Sequence, residues 1–308
     1  MKPMLASNFD PKLLEGQLPM YFSPKIDGFR CFVFEGEALT RQLKRQNNQS
    51  IYEYLSDKLF NGLDGELVCG DISDPKVFHK SSGDLRRHSG EPDWSFHVFD
   101  DFTDPRAPTE DRLAGAAERV NFLRHCLGYE RIHLVEQELV TSIEQFSEVE
   151  RRHTMLGFEG SMGKRADGLY KFGRSTAKEG HCVKVKRYDY DEAEIIDVEE
   201  LMHNNNEAFI NELGHTARSS HAENLSPSGM VGAFVCRNER LWPGVTFNVS
   251  ASSLTHDEKQ RRWNDREYLK GQVIRFKHFS HGAKDKPRHA VFDLSLIHIS
   301  EPTRLLSI

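Results

Sequence analysis

The hexapeptide Lys25-Ile26-Asp27-Gly28-Phe29-Arg30 leads straight into an apolar run, Phe29 to Phe34. A Glu35-Gly36-Glu37 turn separates that run from a second one, Ala38 to Arg41. Two such runs around a glycine turn predict a β-hairpin. A lysine, a carboxylate and an arginine spaced K-x-D-G-x-R are thereby fixed at the mouth of a strand. A lysine that attacks a nucleotide α-phosphate needs a free amine, a partner carboxylate and a backbone that lets phosphates approach. The hexapeptide offers all three, and its guanidinium can hold a sugar or a phosphate. The plain alternative for Lys25 is a surface lysine on a strand edge, and the segments that follow decide between the two.

A chain of 308 residues accommodates two domains, and its 20 phenylalanines within a 38% hydrophobic content can build real cores. No apolar run approaches the roughly 20 residues of a membrane helix, and Met1-Lys2-Pro3-Met4-Leu5-Ala6 lacks the pattern of a signal peptide. A soluble cytosolic protein is expected. The five cysteines (Cys31, Cys69, Cys126, Cys182 and Cys236) occur singly with no C-x-x-C pair. That argues against a zinc ribbon or a disulfide framework and for buried thiols in a reducing compartment. A net charge of −6 looks wrong for a nucleic-acid binder, yet phosphate contacts need only a local basic surface. Basic residues do cluster: Arg41, Lys44 and Arg45; Lys80, Arg86, Arg87 and His88; Lys184, Lys186 and Arg187. Each cluster reads either as a solvated face or as a phosphate-binding surface.

The first two-thirds mixes strands and helices. Asp64 to Cys69 and Trp94 to Phe102 read as strands, and Thr109 to Leu127 has helical periodicity through Leu113, Ala117, Val120, Leu123 and Leu127. A second helix is predicted from Ile143 to Leu156, with Ser142 and Gln145 at capping-box spacing. Strands are predicted at Gly168 to Tyr170 and Cys182 to Arg187. The character then changes, and a domain boundary is expected near Tyr190. Beyond it come a strand (Ala193 to Leu201), a polar segment (His203 to Ser228) and short strands at Val231 to Arg237 and Val245 to Val249. A helix from Thr255 to Leu269, with Thr255 and Glu258 at capping-box spacing, precedes strands at Gln272 to Phe279 and His289 to Asp293. Five short strands with one helix fit a small barrel of the oligonucleotide-binding type.

Further segments follow the hexapeptide in order: Thr40-Arg41; Leu63-Asp64-Gly65-Glu66-Leu67; Phe96-His97-Val98-Phe99-Asp100; Phe158-Glu159-Gly160-Ser161-Met162-Gly163-Lys164; and Val183-Lys184-Val185-Lys186. On a strand, Lys184 and Lys186 point to the same face. The series resembles the nucleotidyltransferase motifs of ATP-dependent DNA ligases, in the family's order, over residues 1 to 293. Pro3-Met4-Leu5-Ala6 also looks like the opening of these ligases. In the second domain Asn205-Asn206-Glu207, Arg218-Ser219-Ser220-His221, Gly232-Ala233-Phe234, the segment Thr255 to Trp263 and Gly271-Gln272-Val273 are similar to the barrel of small, phage-type ligases.

The resemblance implies an α+β protein: a nucleotidyltransferase (adenylation) domain of antiparallel sheets with helices over residues 1–190, then an OB-fold domain over 191–294. It implies ATP and Mg²⁺ as cofactors and nicked duplex DNA as partner. A monomer without membrane association is expected, in the cytoplasm of a bacterial or phage-infected host cell. Lys25 would be the nucleophile, forming lysyl-AMP. An ordinary lysine has a pKa of about 10.4, so its amine needs nearby cations such as Lys184, Lys186 and Mg²⁺ to become reactive. Asp27 would orient Lys25. Glu66 would help hold ribose and metal, and Glu159 would bind the metal. Phe99 would stack on adenine, although a core phenylalanine beside Phe96 and Phe102 is the competing reading. Lys184 and Lys186 would grip the α-phosphate, and Arg30 and Arg41 would contact the AMP ribose and the 5′-phosphate of the nick. No DNA-binding domain precedes Lys25, which implies a compact ligase.

After Phe292 the sequence departs from the family, which continues into a short motif with arginine, aspartate and lysine. Ser295 to Ile308 matches nothing there and resembles translated adapter DNA joined to a truncated gene. Slow first-stage adenylylation, with sealing of pre-adenylated nicks retained, is the resulting expectation. RNA ligases and capping guanylyltransferases share K-x-D-G, but the Asn-Asn-Glu and Arg-Arg-Trp segments favour DNA ligase. A non-catalytic DNA-end-binding module is the remaining alternative. The polar stretches 79–90 and 203–228 read as loops touching duplex or as solvated connections.

Overall fold

A computed structural model describes residues 2–293. The chain divides into two compact units, Met1–Arg187 and a second that begins at Tyr188. The residues of the anomalous tail, 295–308, lie outside the described residues.

The first unit contains two five-stranded sheets. One runs Ser7–Asn8, Val183–Lys186, Gly160–Arg165, Met20–Pro24, Glu138–Val140; the other runs Glu37–Thr40, Phe29–Phe34, Leu63–Cys69, Trp94–Asp101, Ile132–Leu134. Most pairs are antiparallel, and each sheet has one parallel pair at an edge. The predicted hairpin forms, with Cys31 opposite Thr40 and Phe34 opposite Glu37. Glu35 and Gly36 both take positive φ (53° and 79°), the backbone twist that a two-residue hairpin turn requires.

Alternation along the strands separates core from site. Cys31, Val33, Leu67, Phe96 and Val98 enter the largest core, where they meet Ala116, Val120 and Leu123 of the helix Thr109–His125. Arg30 and Glu66 are paired directly across neighbouring strands and alternate with these core residues, so they face the other side of the sheet.

The second unit is a closed barrel in the order Asp189–Asn204, Leu225–Arg237, Thr246–Ser250, Arg288–Phe292, Val273–Phe279. Its interior is filled by Val198, Phe234, Val249, Phe276, Phe292 and their neighbours. This is the expected barrel of the oligonucleotide-binding type, so the chain as a whole is α+β.

Several local expectations need correction. Gly168 to Tyr170 is not a strand. Its polar groups are satisfied elsewhere: the Gly168 carbonyl accepts from Thr109 Oγ1 and Arg112 Nη1, and Tyr170 Oη donates to Asp64. The stretch 79–90 is not a loop throughout, because Val77–Leu85 is a helix that buries Val77, Ser81 and Leu85. Within 203–228, Ala208–Ile210 pairs with Thr216–Arg218 as a hairpin. The helix predicted from Thr255 to Leu269 breaks at Asp265 into His256–Asn264 and Arg266–Leu269, while the capping box of Thr255 and Glu258 forms in both directions. At Ile143–Met155 only half of the box forms. Ser142 accepts from the Gln145 amide, but Gln145 Oε1 receives Thr141 N and Thr141 Oγ1 instead of the cap amide.

Candidate active site

Three neighbouring strands set the centre of the site. Gly160–Arg165 lies between Met20–Pro24 and Val183–Lys186 in its sheet. Ser161 is in register with Pro24, Gly160 with Lys186, and the Lys25 amide continues the ladder to the Gly160 carbonyl at 2.9 Å. Residues 25, 159 and 186 therefore meet at one end of the sheet although 134 positions separate Lys25 from Glu159. Lys25 Nζ stands 2.5 Å from Glu159 Oε2, and Lys186 Nζ contacts Glu159 Oε1. Burial alone would raise the Glu159 pKa, but Lys25 and Lys186 outweigh it and hold the carboxyl down at about 2.

Two glycines make this approach possible, for steric reasons. A Cβ at Gly160, whose φ is +150°, would lie 2.1 Å from the Val185 carbonyl oxygen. A Cβ at Gly28 would lie 2.5 Å from the Leu67 oxygen and 2.8 Å from Glu66 Cγ. The glycine of the hexapeptide is thus required by the strand carrying Glu66, a constraint distinct from the phosphate access that the sequence suggested.

Lys25, Arg30, Arg41, Glu66, Phe99, Lys184 and Lys186 line one cavity of about 690 Å³. Asp27 and Glu159 are buried (8% and 7% exposed) and are not among its lining. Among the described residues, the cavity wall carries ten lysines and arginines against a single acid, Glu66. Loss of solvent around Glu66 raises its pKa to about 7 against the opposing pull of Lys25 and Arg30. Lys184 is pushed down by desolvation and then by Lys186, Arg174, Lys25 and Arg41. Such a cavity favours a multiply charged anion.

Arg30 is heavily engaged. Its Nε donates to Asp64 Oδ1 at 2.5 Å, one Nη also meets Asp64, and the same Nη donates to the Met4 carbonyl at 3.1 Å. Its guanidinium carbon lies 4.7 Å from the centroid of Phe99. Asp64, which anchors Arg30, and Tyr170, which donates to Asp64, went unrecognised in the sequence as site residues. The available signal for Asp64 was its i, i+2 spacing from Glu66, which puts both on one face of a strand.

Phe99 is partly exposed, whereas Phe96 and Phe102 are buried at 0% and 4%. Alternation explains the difference from Phe96: Phe96 and Val98 enter the large core, so Phe99 faces the other side of the sheet, as Glu66 does. A bulge follows at once: Asp64 pairs with Asp100 and Gly65 with Val98, so Phe99 is the extra residue. A bulge interrupts a strand's alternation, and here it brings Asp100, opposite Asp64, to the same side as Phe99, whose ring lines the cavity. Of the basic clusters, Arg41, Lys44 and Arg45, then Arg86, and Lys184 with Lys186 reach the wall; Lys164 and Arg174 join them from outside those clusters. Arg187 instead pairs with Glu150.

A profile of the ATP dependent DNA ligase domain matches residues 3–186, and one of the DNA ligase OB-like domain matches residues 226–294. Among solved structures, the Chlorella virus DNA ligase–adenylate is 27% identical with a TM-score of 0.52; the match covers 95% of this chain and 96% of that one. A Lig E DNA ligase is 19% identical with a TM-score of 0.64, over 95% and 98% of the two chains. The ATP-dependent DNA ligase of bacteriophage T7, in complex with ATP, is 16% identical with a TM-score of 0.50, over 95% and 98%. The last two speak to the fold alone. No match is found among curated proteins. With one domain profile spanning more than half of its length, the chain belongs to the ATP-dependent DNA ligase family and is an enzyme of that family.

Proposed function

We propose that the protein seals nicks between a 3′-hydroxyl and a 5′-phosphate in duplex DNA, through lysyl-AMP and DNA-adenylate. The observation that carries this reading is the Lys25–Glu159–Lys186 cluster at the edge of a strongly cationic cavity. Lys25 Nζ leaves Glu159, loses its proton and attacks the α-phosphorus of ATP. A P–N bond forms, the bond to the β-phosphate oxygen breaks, and pyrophosphate departs. An oxygen of the 5′-phosphate then takes the adenylyl group from Lys25, and the 3′-hydroxyl displaces AMP to close the strand. Lys184 and Lys186 hold the α-phosphate, and Phe99 stacks on adenine, a contact worth about 1–3 kcal/mol. Asp27 orients Lys25. Arg41, together with Arg30, takes the ribose and the 5′-phosphate. Chemistry of this kind is mostly positioning and charge stabilisation.

Glu66 and Glu159 would hold Mg²⁺. Among the described residues no group of three or more His, Cys, Asp or Glu is placed to hold a metal ion. Sparse carboxylates suit a hard ion that keeps several waters and shares phosphate oxygens. The raised pKa of Glu66 fits as well, since a cation favours its ionised form. When bound, the ion offsets charge on the phosphates. The barrel supplies contacts to the duplex backbone, which position without reading sequence. No described helix is long and apolar enough to cross a membrane.

Incubation with α-labelled ATP and Mg²⁺, then with nicked duplex, tests the reading. Label should attach to protein, pass to DNA and leave as the strands join. Lys25→Ala should carry no label; persistent labelling of that variant would rule out the assigned nucleophile. Pre-adenylated nicked RNA and GTP serve as the arms for the RNA-ligase and capping alternatives.

A further inference from the structure

The Phe99 carbonyl is held from two sides. Lys164 Nζ donates to it at 2.6 Å and Gln137 Nε2 at 2.7 Å. Neither residue is near Phe99 in sequence: Lys164 ends the segment that begins at Glu159, and Gln137 directly precedes the edge strand Glu138–Val140. Both donors converge on the carbonyl of the extra residue of the bulge, which has no opposite number in the neighbouring strand.

Lys164 is in turn fixed by a buried ionic chain. Its Nζ lies 2.8 Å from Asp100 Oδ2, while Arg112 Nε lies 2.9 Å from Asp100 Oδ1. Lys164, Asp100 and Arg112 are 3%, 0% and 3% exposed. Arg112 is tied on its far side to the carbonyls of Ala107 and Gly168 at 2.7 and 2.9 Å. A buried lysine so held cannot swing, and its ammonium also lies 5.3 Å from the Phe99 ring centroid.

We propose that Gln137 and Lys164 are positioning residues: they pin the Phe99 carbonyl, fix the bulge and so set the angle at which the Phe99 ring meets the nucleobase. The inference rests on the reading of Phe99 as the adenine platform. Gln137 is the cleaner probe, because its removal strands no buried charge. Lys164→Met would leave Asp100 with one cation and risks the fold.

The experiment is a double-mutant cycle on first-stage adenylylation, comparing wild type, Gln137→Met, Phe99→Ala and the double variant. KM for ATP and the limiting rate of label transfer are measured separately, and each variant is first checked by its urea midpoint. Gln137→Met is expected to raise KM for ATP about fivefold to tenfold, the scale of coupling between touching residues, with the limiting rate within about twofold of wild type. In the Phe99→Ala background the same change is expected to have no further effect on KM. An equal rise in both backgrounds overturns the pin, as does no rise in the wild-type background. If Phe99→Ala itself leaves KM unchanged, it is the adenine-platform reading that fails, and the inference falls with it.

Discussion

Glu159 is held between two lysines, with Oε2 at 2.5 Å from Lys25 Nζ and Oε1 against Lys186. One carboxylate thus spaces the intended nucleophile and an intended phosphate ligand. Its place just before the strand Gly160–Arg165, whose two neighbours end at Pro24 and Lys186, makes this possible.

Replacement of Glu159 by glutamine keeps the shape and removes the charge. Two ammonium groups then share a neutral partner, and the α-phosphate meets a misplaced Lys25. Adenylylation should fall by about 10²-fold, the usual scale for loss of one preorganised electrostatic group. Single-turnover labelling with α-labelled ATP measures it; a wild-type rate in Glu159→Gln would remove Glu159 from the machinery.

The two carboxyls also predict opposite responses to acid. Glu66 is raised from an ordinary 4.5 to about 7, so between those values the folded protein keeps a proton that the unfolded chain releases. Its contribution to stability is present below about 4.5 and is lost as pH rises through 7. Glu159 is lowered to about 2, so its contribution is present above 4.5 and lost as pH falls toward 2. If ionised Glu66 holds ribose and metal, adenylylation at limiting Mg²⁺ should fall as pH drops below about 7, and saturating Mg²⁺ should move that limb to lower pH. Glu66→Gln should show a lower rate without that limb. An unchanged acid limb in this variant would assign it to another group.

Gly160→Ala should damage both stability and activity. Its Cβ would collide with the Val185 oxygen at 2.1 Å, and the φ of +150° disfavours any side chain. A loss of about 2–4 kcal/mol is expected from a forced backbone shift at a strained position. The shift would also part Glu159 from Lys186. Urea unfolding reads the first effect and ATP labelling the second; retention of both midpoint and rate would show that the strands can separate freely here.

Much of the local architecture was legible because it depends on near neighbours. The Glu35-Gly36 turn specifies the hairpin, Thr255 and Glu258 specify a helix start, and alternation alone puts Lys184 and Lys186 on one side. Phe99 shows where such reading stops. Alternation parts Phe99 from Phe96, but the slip of register against Asp64 and Gly65 lies outside it, and with it the burial of Phe102 among Phe32 and Tyr170. Gly168 to Tyr170 failed for the opposite reason: an apparent strand segment found its hydrogen bonds on Arg112, Thr109 and Asp64, far away in the chain.

By itself, then, the sequence determined which chemical groups the protein possesses and the order in which strands deliver them: K-x-D-G-x-R, the two glutamates, the paired lysines. The tertiary structure alone decided which of those groups touch, that Arg30 is tied to Asp64, and that Gly28 answers to Glu66's strand. The physical reason is range. Alternation, turns and caps are settled within a few residues of chain. The charge around a buried carboxylate is settled by strands whose neighbours are more than a hundred positions away.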